Sequence, residues 1–408
     1  MASEQAPAAA PASVATRERR TLAAAATAHI LHDGYTDLIY VLLPVWQAEF
    51  GLGFAEVGLL RASYTGIMAA LQIPASMLAE RCGPVLVLVG GTVLSAIAFL
   101  FAGASLGLAS LLAALALGGL GASVQHPIAS SLVSAVFPGA RSRTALGVYN
   151  FTGDLGKMAM PVLAALLLSA MPWRHALFIL GGLGIACAAL VLALAPAAVN
   201  ARSRPDEDAA KRAAVAQPAR APPQHGFLLL IAIAMIDCAG RSGFLTFLPF
   251  LLKAKEASIA SIGTALSLLF VGGAAGKLVC GYLGARIGLL NTVLLTEGLT
   301  AIGIIALLPM PLPASLVLMP LLGTCLNGTS SALYGTVPEL VAPTRRARAF
   351  GIFYTGAIAA SAATPPLIGL LGDGFGVTTA MTIIAVMVLA TVPLSALLMP
   401  MLPAPARR

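Results

Sequence analysis

The chain has 408 residues, 59% of them hydrophobic and only 10% charged, with a mean hydropathy of +0.92. Soluble domains average about 45–50% apolar and about 25% charged residues, so this composition excludes a soluble enzyme, a disordered chain and a fibrous one. The formal charge of +8, from 24 Lys and Arg against 16 Asp and Glu, reads in such a chain as the excess of basic residues on cytoplasmic loops, not as a nucleic-acid surface.

Apolar runs recur at about 22–46, 56–79, 84–104, 109–137, 145–170, 174–195, 227–252, 258–284, 289–310, 313–337, 347–371 and 377–402. Each is long enough to cross ~30 Å of hydrocarbon as a helix. None shows the short alternating pattern of a membrane β-strand. The sequence therefore predicts an all-α membrane protein with twelve transmembrane helices. With the N-terminus placed in the cytoplasm, seventeen Lys and Arg fall on cytoplasmic segments, whereas the opposite loops hold three, Arg174, Lys253 and Lys255. That bias predicts cytoplasmic N- and C-termini. The start of the chain does not read as a cleavable signal peptide, because the first apolar run is too long and too polar in its middle. The five cysteines are scattered, without CxxC, and read as small apolar residues.

A Pro, Ala and charge-rich stretch at 197–226 divides the chain, and reads as a flexible cytoplasmic linker. The predicted organisation is a tail at 1–21, a six-helix bundle at 22–196, the linker, a second bundle at 227–403 and a tail at 404–408. The two bundles repeat each other. A shift of 205 residues superposes Pro44 on Pro249, Gly58 on Gly263, Arg81 on Arg286 and Gly83 on Gly288, and a shift of 204 superposes Gly147 on Gly351 and Pro161 on Pro365. Two parallel six-helix repeats around a central site are a transporter architecture.

The loop after the second span reads Ser76-Met77-Leu78-Ala79-Glu80-Arg81-Cys82-Gly83-Pro84, and its copy Gly281-Tyr282-Leu283-Gly284-Ala285-Arg286-Ile287-Gly288. These resemble the duplicated signature loop, G-x-L-a-D-R-x-G-R-K, of the major facilitator superfamily. Glu80, Arg81, Gly83, Arg286 and Gly288 stand at the positions that the resemblance makes a gating-loop motif. Three further stretches are similar to the fosmidomycin-resistance branch of exporters: His29-Ile30-Leu31-His32-Asp33, the Gly-rich segment Gly119 to Pro127, and Ala145 through Gly153-Asp154-Leu155-Gly156 to Pro161. The resemblance implies the major facilitator fold, a central cavity lined by spans one, four, seven and ten with two, five, eight and eleven beside them, a small-molecule substrate, and no enzymatic activity.

Ionisable side chains at the bilayer centre cost about 2.5–3.5 kcal/mol on insertion scales, so each is a functional hypothesis. His29, Asp33, Asp37 and Tyr40 share one face of span one. A carboxylate in an apolar cavity can take up and release protons, and a neighbouring imidazole can share that work. Asp33, with Asp154 as the second candidate, is the predicted proton-coupling site. His32, Asp37, Gln125, His126, Asn150, Lys157, Asp237, Arg241 and Asn327 are the predicted substrate-binding set. Simpler roles stand beside these. Asp154 with Lys157, and Asp237 with Arg241, can pair within their own helices. His126 can satisfy carbonyls freed by Pro127. Lys277 can snorkel, and Glu297 can be a structural pair.

The predicted function is a proton-coupled exporter of small organic molecules, working by antiport as a monomer in the bacterial inner membrane. Its expected partners are substrate, protons and the lipid bilayer, with no nucleic acid, cofactor or resident metal. The alternatives are import of a small organic ion and transport of a metal or metal chelate through His29, His32, Asp33 and His126.

Overall fold

The computed structural model describes residues 14–137, 140–196, 224–341 and 346–402. Thirteen α-helices account for almost all of these: α1 Val14–Phe50, α2 Phe54–Cys82, α3 Pro84–Gly103, α4 Leu108–Ala122, α5 Gln125–Val136, α6 Ala140–Ala170, α7 Trp173–Leu194, α8 Gln224–Ala254, α9 Ile259–Ile287, α10 Leu289–Leu307, α11 Leu312–Leu340, α12 Arg346–Leu389 and α13 Thr391–Leu398. No strand occurs among the described residues. Among the described residues, nine helical segments are both long and apolar enough to cross a membrane. One of them, Ala349–Met401, is a pair of crossings that reverses at Gly376, whose φ of +83° suits a residue without Cβ. Helices α1 and α2 fall short of that apolarity because of the polar residues they carry. Adding them and counting the reversal gives twelve spans.

Two features differ from the sequence reading. Helix α1 begins at Val14, inside the stretch read as a tail. Glu18 is paired there with Arg141 at 2.5 Å, and Arg20 donates to the carbonyls of Ala193 and Leu194 at the end of α7. Span four runs over Leu108–Val136, with its hydrogen bonding interrupted at Ser123 and Val124, which keep helical φ and ψ. Pro127 has no N–H to give to the Ser123 carbonyl, which accounts for the interruption. The linker prediction at 197–226 falls almost wholly outside the described residues, as does the tail at 404–408.

The internal repeat is visible in the backbone. Gly83 and Gly288, at equivalent positions, take φ of +97° and +88°, and each joins the end of one helix to the start of the next. Within the N-terminal half α1 lies along α6 and α3 along α7; in the C-terminal half α8 lies along α12 and α9 along α11. The halves meet where α2 packs on α12 and α6 on α9.

Those contacts crowd toward one end of the molecule, the end of the 51–53 and 255–258 loops. A Cβ on Gly58 would collide with the carbonyl of Pro365, and a Cβ on Gly263 would meet the carbonyl of Pro161. Asp373 of α12 accepts hydrogen bonds from the amides of Phe54 and Ala55, the latter at 3.0 Å, so the first turn of α2 is capped from the other half. Phe54 also meets Phe247 and Phe250 of α8 edge-on. At the opposite end, Glu80, Arg81, Met77 and Leu78 of α2 are exposed. Contacts between the halves are thus concentrated at the loop end, whereas this part of α2 at the linker end is exposed. Gly58→Val is expected to force the closed end apart, read as a longer distance between spin labels placed on α2 and α12 at that end. Asp373→Ala is expected to act in the same direction more weakly, by about 1 kcal/mol.

Candidate functional site

Asp33, itself buried, is the hub of a charge cluster between α1, α5 and α6 in which His126 is 49% and Lys157 32% exposed. The cluster exists because α1 and α6 approach unusually closely. Gly156 sits on the Ile30 carbonyl, where any side chain would collide, and Gly34 faces Met160 across the same seam. One turn along α6 from Gly156, Gly153 leaves room for the His29 ring and an Asp33 oxygen, both within 2.7 Å of where its Cβ would stand.

Three groups then converge on one carboxylate. His29 Nε2 lies 3.3 Å from Asp33 Oδ2 and Lys157 Nζ 3.3 Å from the same oxygen, while His126 Nε2 lies 3.6 Å from Oδ1. The His29 ring is fixed from behind. Its Nδ1–H donates to the Tyr149 carbonyl at 2.8 Å, and its face stacks on the Tyr149 ring at 4.1 Å. A carbonyl can only accept, so the hydrogen is on Nδ1. A neutral ring would then turn a bare nitrogen lone pair toward a carboxylate oxygen. In this structure Nε2 makes no hydrogen bond, and a further hydrogen on Nε2 or on Asp33 would make the contact favourable.

The second candidate acid is engaged across the molecule. Lys277 Nζ of α9 donates to both Asp154 oxygens at 2.7 Å, joining the two halves. The i, i+3 pairing of Asp154 with Lys157 is therefore not made. Lys157 turns instead to α1, because Asp33 is nearer to hand, and Lys277 reaches a carboxylate rather than snorkelling.

The remaining predicted residues divide into those at the seam and those outside it. Asp37 is 6% exposed and has no hydrogen-bond or ion-pair partner among the described residues. Arg61 of α2 donates to the Thr36 carbonyl at 2.8 Å and lies over the Tyr40 ring at 4.3 Å. Arg241 of α8 is not ion-paired with Asp237; it donates to Cys238 Sγ at 3.4 Å, while Asp237 accepts from Ser330 of α11 at 3.0 Å. Gln125 donates to the Tyr149 hydroxyl at 3.3 Å, with its carbonyl oxygen unpartnered. His32 faces α3, bonded to Thr92 at 3.0 Å, on the side away from the cluster. Thr92 already donates to Leu88, so His32 is the donor. Asn150 is exposed without a hydrogen bond among the described residues, and Asn327 donates to Gly323 of its own helix at 3.3 Å. Of the gating-loop residues, Arg286 lies over the Tyr282 ring at 4.9 Å and Glu80 and Arg81 make no ion pair among the described residues.

Sequence reasoning placed His29 on the right face but offered it only as a possible metal ligand. The signal was its position four residues before Asp33. It also missed Tyr149, whose function is carried by a backbone carbonyl that no side-chain pattern reveals.

His29, Asp33 and His126 offer three donor atoms within 4.8 Å of one another, a possible divalent-ion set. Lys157 argues against it, since its ammonium lies as close to Asp33 as His29 does and would oppose a second cation.

The sequence profile of the Major Facilitator Superfamily matches residues 25–250 and 230–408. The chain belongs to this superfamily. It is therefore a multi-pass membrane transporter and not an enzyme. Within the superfamily it is 28% identical over 398 residues to the fosmidomycin resistance protein of Escherichia coli strain K12, covering 91% of this chain and 92% of that one. It is 25% identical over 375 residues to a probable 4-methylmuconolactone transporter of Cupriavidus pinatubonensis, covering 90% and 86%. In fold it resembles a bacterial homologue of the human lysosomal transporter Spinster in an inward-facing, unoccupied conformation, with a TM-score of 0.79 at 17% identity over 96% of this chain and 99% of that one. The overlap of a duplicated profile on one chain accords with the repeat seen in the backbone.

Lys277→Ala is expected to lower the melting temperature of the purified protein by stranding Asp154 as a buried charge, and Asp154→Asn in the same chain is expected to restore most of it. The double-mutant cycle should give a coupling of about 1–3 kcal/mol, between exposed and fully buried pairs.

Proposed function

We propose that the protein is a proton-coupled exporter of small organic molecules, with Asp33 as the principal proton site. The observation that carries this reading is the His29 ring. With Nδ1 committed to a backbone carbonyl, the His29–Asp33 contact needs one more hydrogen than a neutral histidine and an ionised aspartate supply. A pair built to require a proton, buried and beside a lysine, has the chemistry of a coupling site.

Protonation has a mechanical consequence. When Asp33 is neutral, Lys157 loses its counter-ion. Two other carboxylates face it, the unpaired Asp37 and then Asp154, three residues earlier on its own helix. Lys157 then competes with Lys277 for that carboxylate and weakens the ion pair that joins the halves. A proton bound in one half is converted into freedom of the two halves to rock. Coupling demands this kind of differential effect on the two orientations.

The basic residues of the loops put the linker end in the cytoplasm, which makes the conformation inward-facing and the closed end periplasmic. The bacterial inner membrane is the matching location, with both termini in the cytoplasm and a single chain as the transporting unit. Asp37 and Arg241, of opposite sign and without a salt-bridge partner among the described residues, are the best candidates to hold substrate, and they suit a molecule bearing charge of either sign. The kinship with the fosmidomycin resistance protein favours export over import and makes fosmidomycin the first probe.

In proteoliposomes with an imposed pH gradient, the wild-type chain is expected to move fosmidomycin at a rate that follows the gradient. Asp33→Asn is expected to retain binding and lose the gradient dependence. Dependence that survives the substitution removes Asp33 from the mechanism. For the metal reading, His126→Ala is expected to leave the metal tolerance of an expressing strain unaltered.

A further inference from the structure

The Lys and Arg residues of the loop end are Arg174, Lys253 and Lys255, and two of them are committed to helix ends. Arg174, on α7, donates through Nη1 to the carbonyls of Gly103 and Ser105, where α3 ends. Lys255, just past α8, donates through Nζ to the carbonyls of Leu308 and Met310, where α10 ends. A shift of 205 residues carries Gly103 onto Leu308 and Ser105 onto Met310, so the same need is met alike in both halves. Each cation faces the negative end of a helix dipole and carbonyls that have no amide partner there. Arg174 Nη2 also lies 3.5 Å from Glu49 Oε1, which balances that acid. Lys253, in the last turn of α8, is exposed, and its ammonium has no hydrogen-bond or ion-pair partner among the described residues.

The free ammonium stands at a cavity of about 370 Å³ between the halves. The walls are apolar: Pro44, Val45 and Ala48 of α1 on one side, Ile259 and Ile262 of α9 on the other. The charged side chains that line it are Glu49, balanced by Arg174, and Lys253. Ligand pockets span about 300–1,000 Å³, so this one admits a compact organic molecule and not a two-chain lipid. The one charge left unbalanced is positive, and the complementary occupant is an anion.

We propose that this cavity binds a compact organic acid, its oxyanion on Lys253 and its apolar body between α1 and the start of α9, and that the occupant holds the two halves together at the loop end. A molecule that touches both walls is bound only while the walls keep this spacing. Its binding favours this arrangement over any in which the loop end has parted. An acid that collects on this side of the membrane therefore slows the transport cycle. The inference rests on the loop end alone and needs neither the proton site at Asp33 nor a direction of transport.

Equilibrium binding of naphthoate to the purified chain in nanodiscs of zwitterionic lipid tests this, beside its methyl ester and naphthylmethylamine as neutral and cationic probes with the same apolar body. The acid is expected to bind best. Lys253→Gln is expected to weaken the acid about two- to fivefold, the range of an exposed ion pair, and to leave the ester unchanged. Ala48→Phe is expected to abolish binding of the acid. Ala48 is exposed, so the larger ring fills the cavity without entering the core. Spin labels on α2 and α12 at the loop end should show the short distance gaining population when the acid is added to the wild-type chain, and no gain in Ala48→Phe. An amine that binds as well as the acid, a Lys253→Gln chain that binds the acid as the wild type does, or an acid that still binds Ala48→Phe overturns the proposal. Loss of naphthoate binding when the disc lipid is made anionic assigns the cavity to a lipid headgroup and overturns it as well.

Discussion

The close approach of helix backbones at glycine, repeated by the internal symmetry of the chain, is the constraint on which the rest of the architecture rests. Gly58 against the Pro365 carbonyl and Gly263 against the Pro161 carbonyl are the same contact made twice, with the roles of the two halves exchanged. In lipid there is little hydrophobic drive for helices to associate, so small residues that permit backbone contact supply the attraction. A contact of this kind fits or clashes, with little between. Two such contacts on either side of a pseudo-twofold axis make one end of the molecule a closure that is complete or absent, which is the behaviour alternating access needs.

The same device, used inside a half, builds the charge cluster. Gly153 and Gly156 bring α6 onto α1, and only then can a histidine of one helix bond a carbonyl of the other while facing an aspartate of its own. The burial that makes these charges expensive also keeps their partners few. Asp33 has three nitrogen neighbours and Asp154 has one, and Lys157 lies on the helix between them. The ion pair that bridges the halves is thus one residue removed from Asp33.

Much of this was legible from residues alone. Composition and run length gave the twelve spans, and the offsets of 204 and 205 gave the repeat, because proline and glycine at helix contacts mark backbone geometry directly. The polar residues of the first span announced the site. What the sequence could not show was pairing. Within-helix spacing favours Asp154 with Lys157 and Asp237 with Arg241, yet each chooses otherwise: Lys157 goes to Asp33, Asp154 to Lys277, Asp237 to Ser330. Spacing along one helix counts only local partners, and in a bundle the nearer partner is across a seam whose width is set by glycine. His32 and His29 look equivalent in sequence, but a difference of three residues sends one toward α3 and the other into the cluster. The local loss of hydrogen bonding in span four was also hidden, although Pro127 was in plain view, because proline alone does not say which turn of a membrane helix gives way.

The capping of α2 by Asp373 has a consequence of its own. The donors are backbone amides, Phe54 and Ala55, and their acceptor belongs to the other half. Whenever the two halves separate at that end, these N–H groups lose their acceptor and meet solvent. Their rate of deuterium uptake should therefore track the fraction of time the transporter spends opened toward that side, giving an intrinsic clock for the cycle that needs no label, no ligand and no substitution.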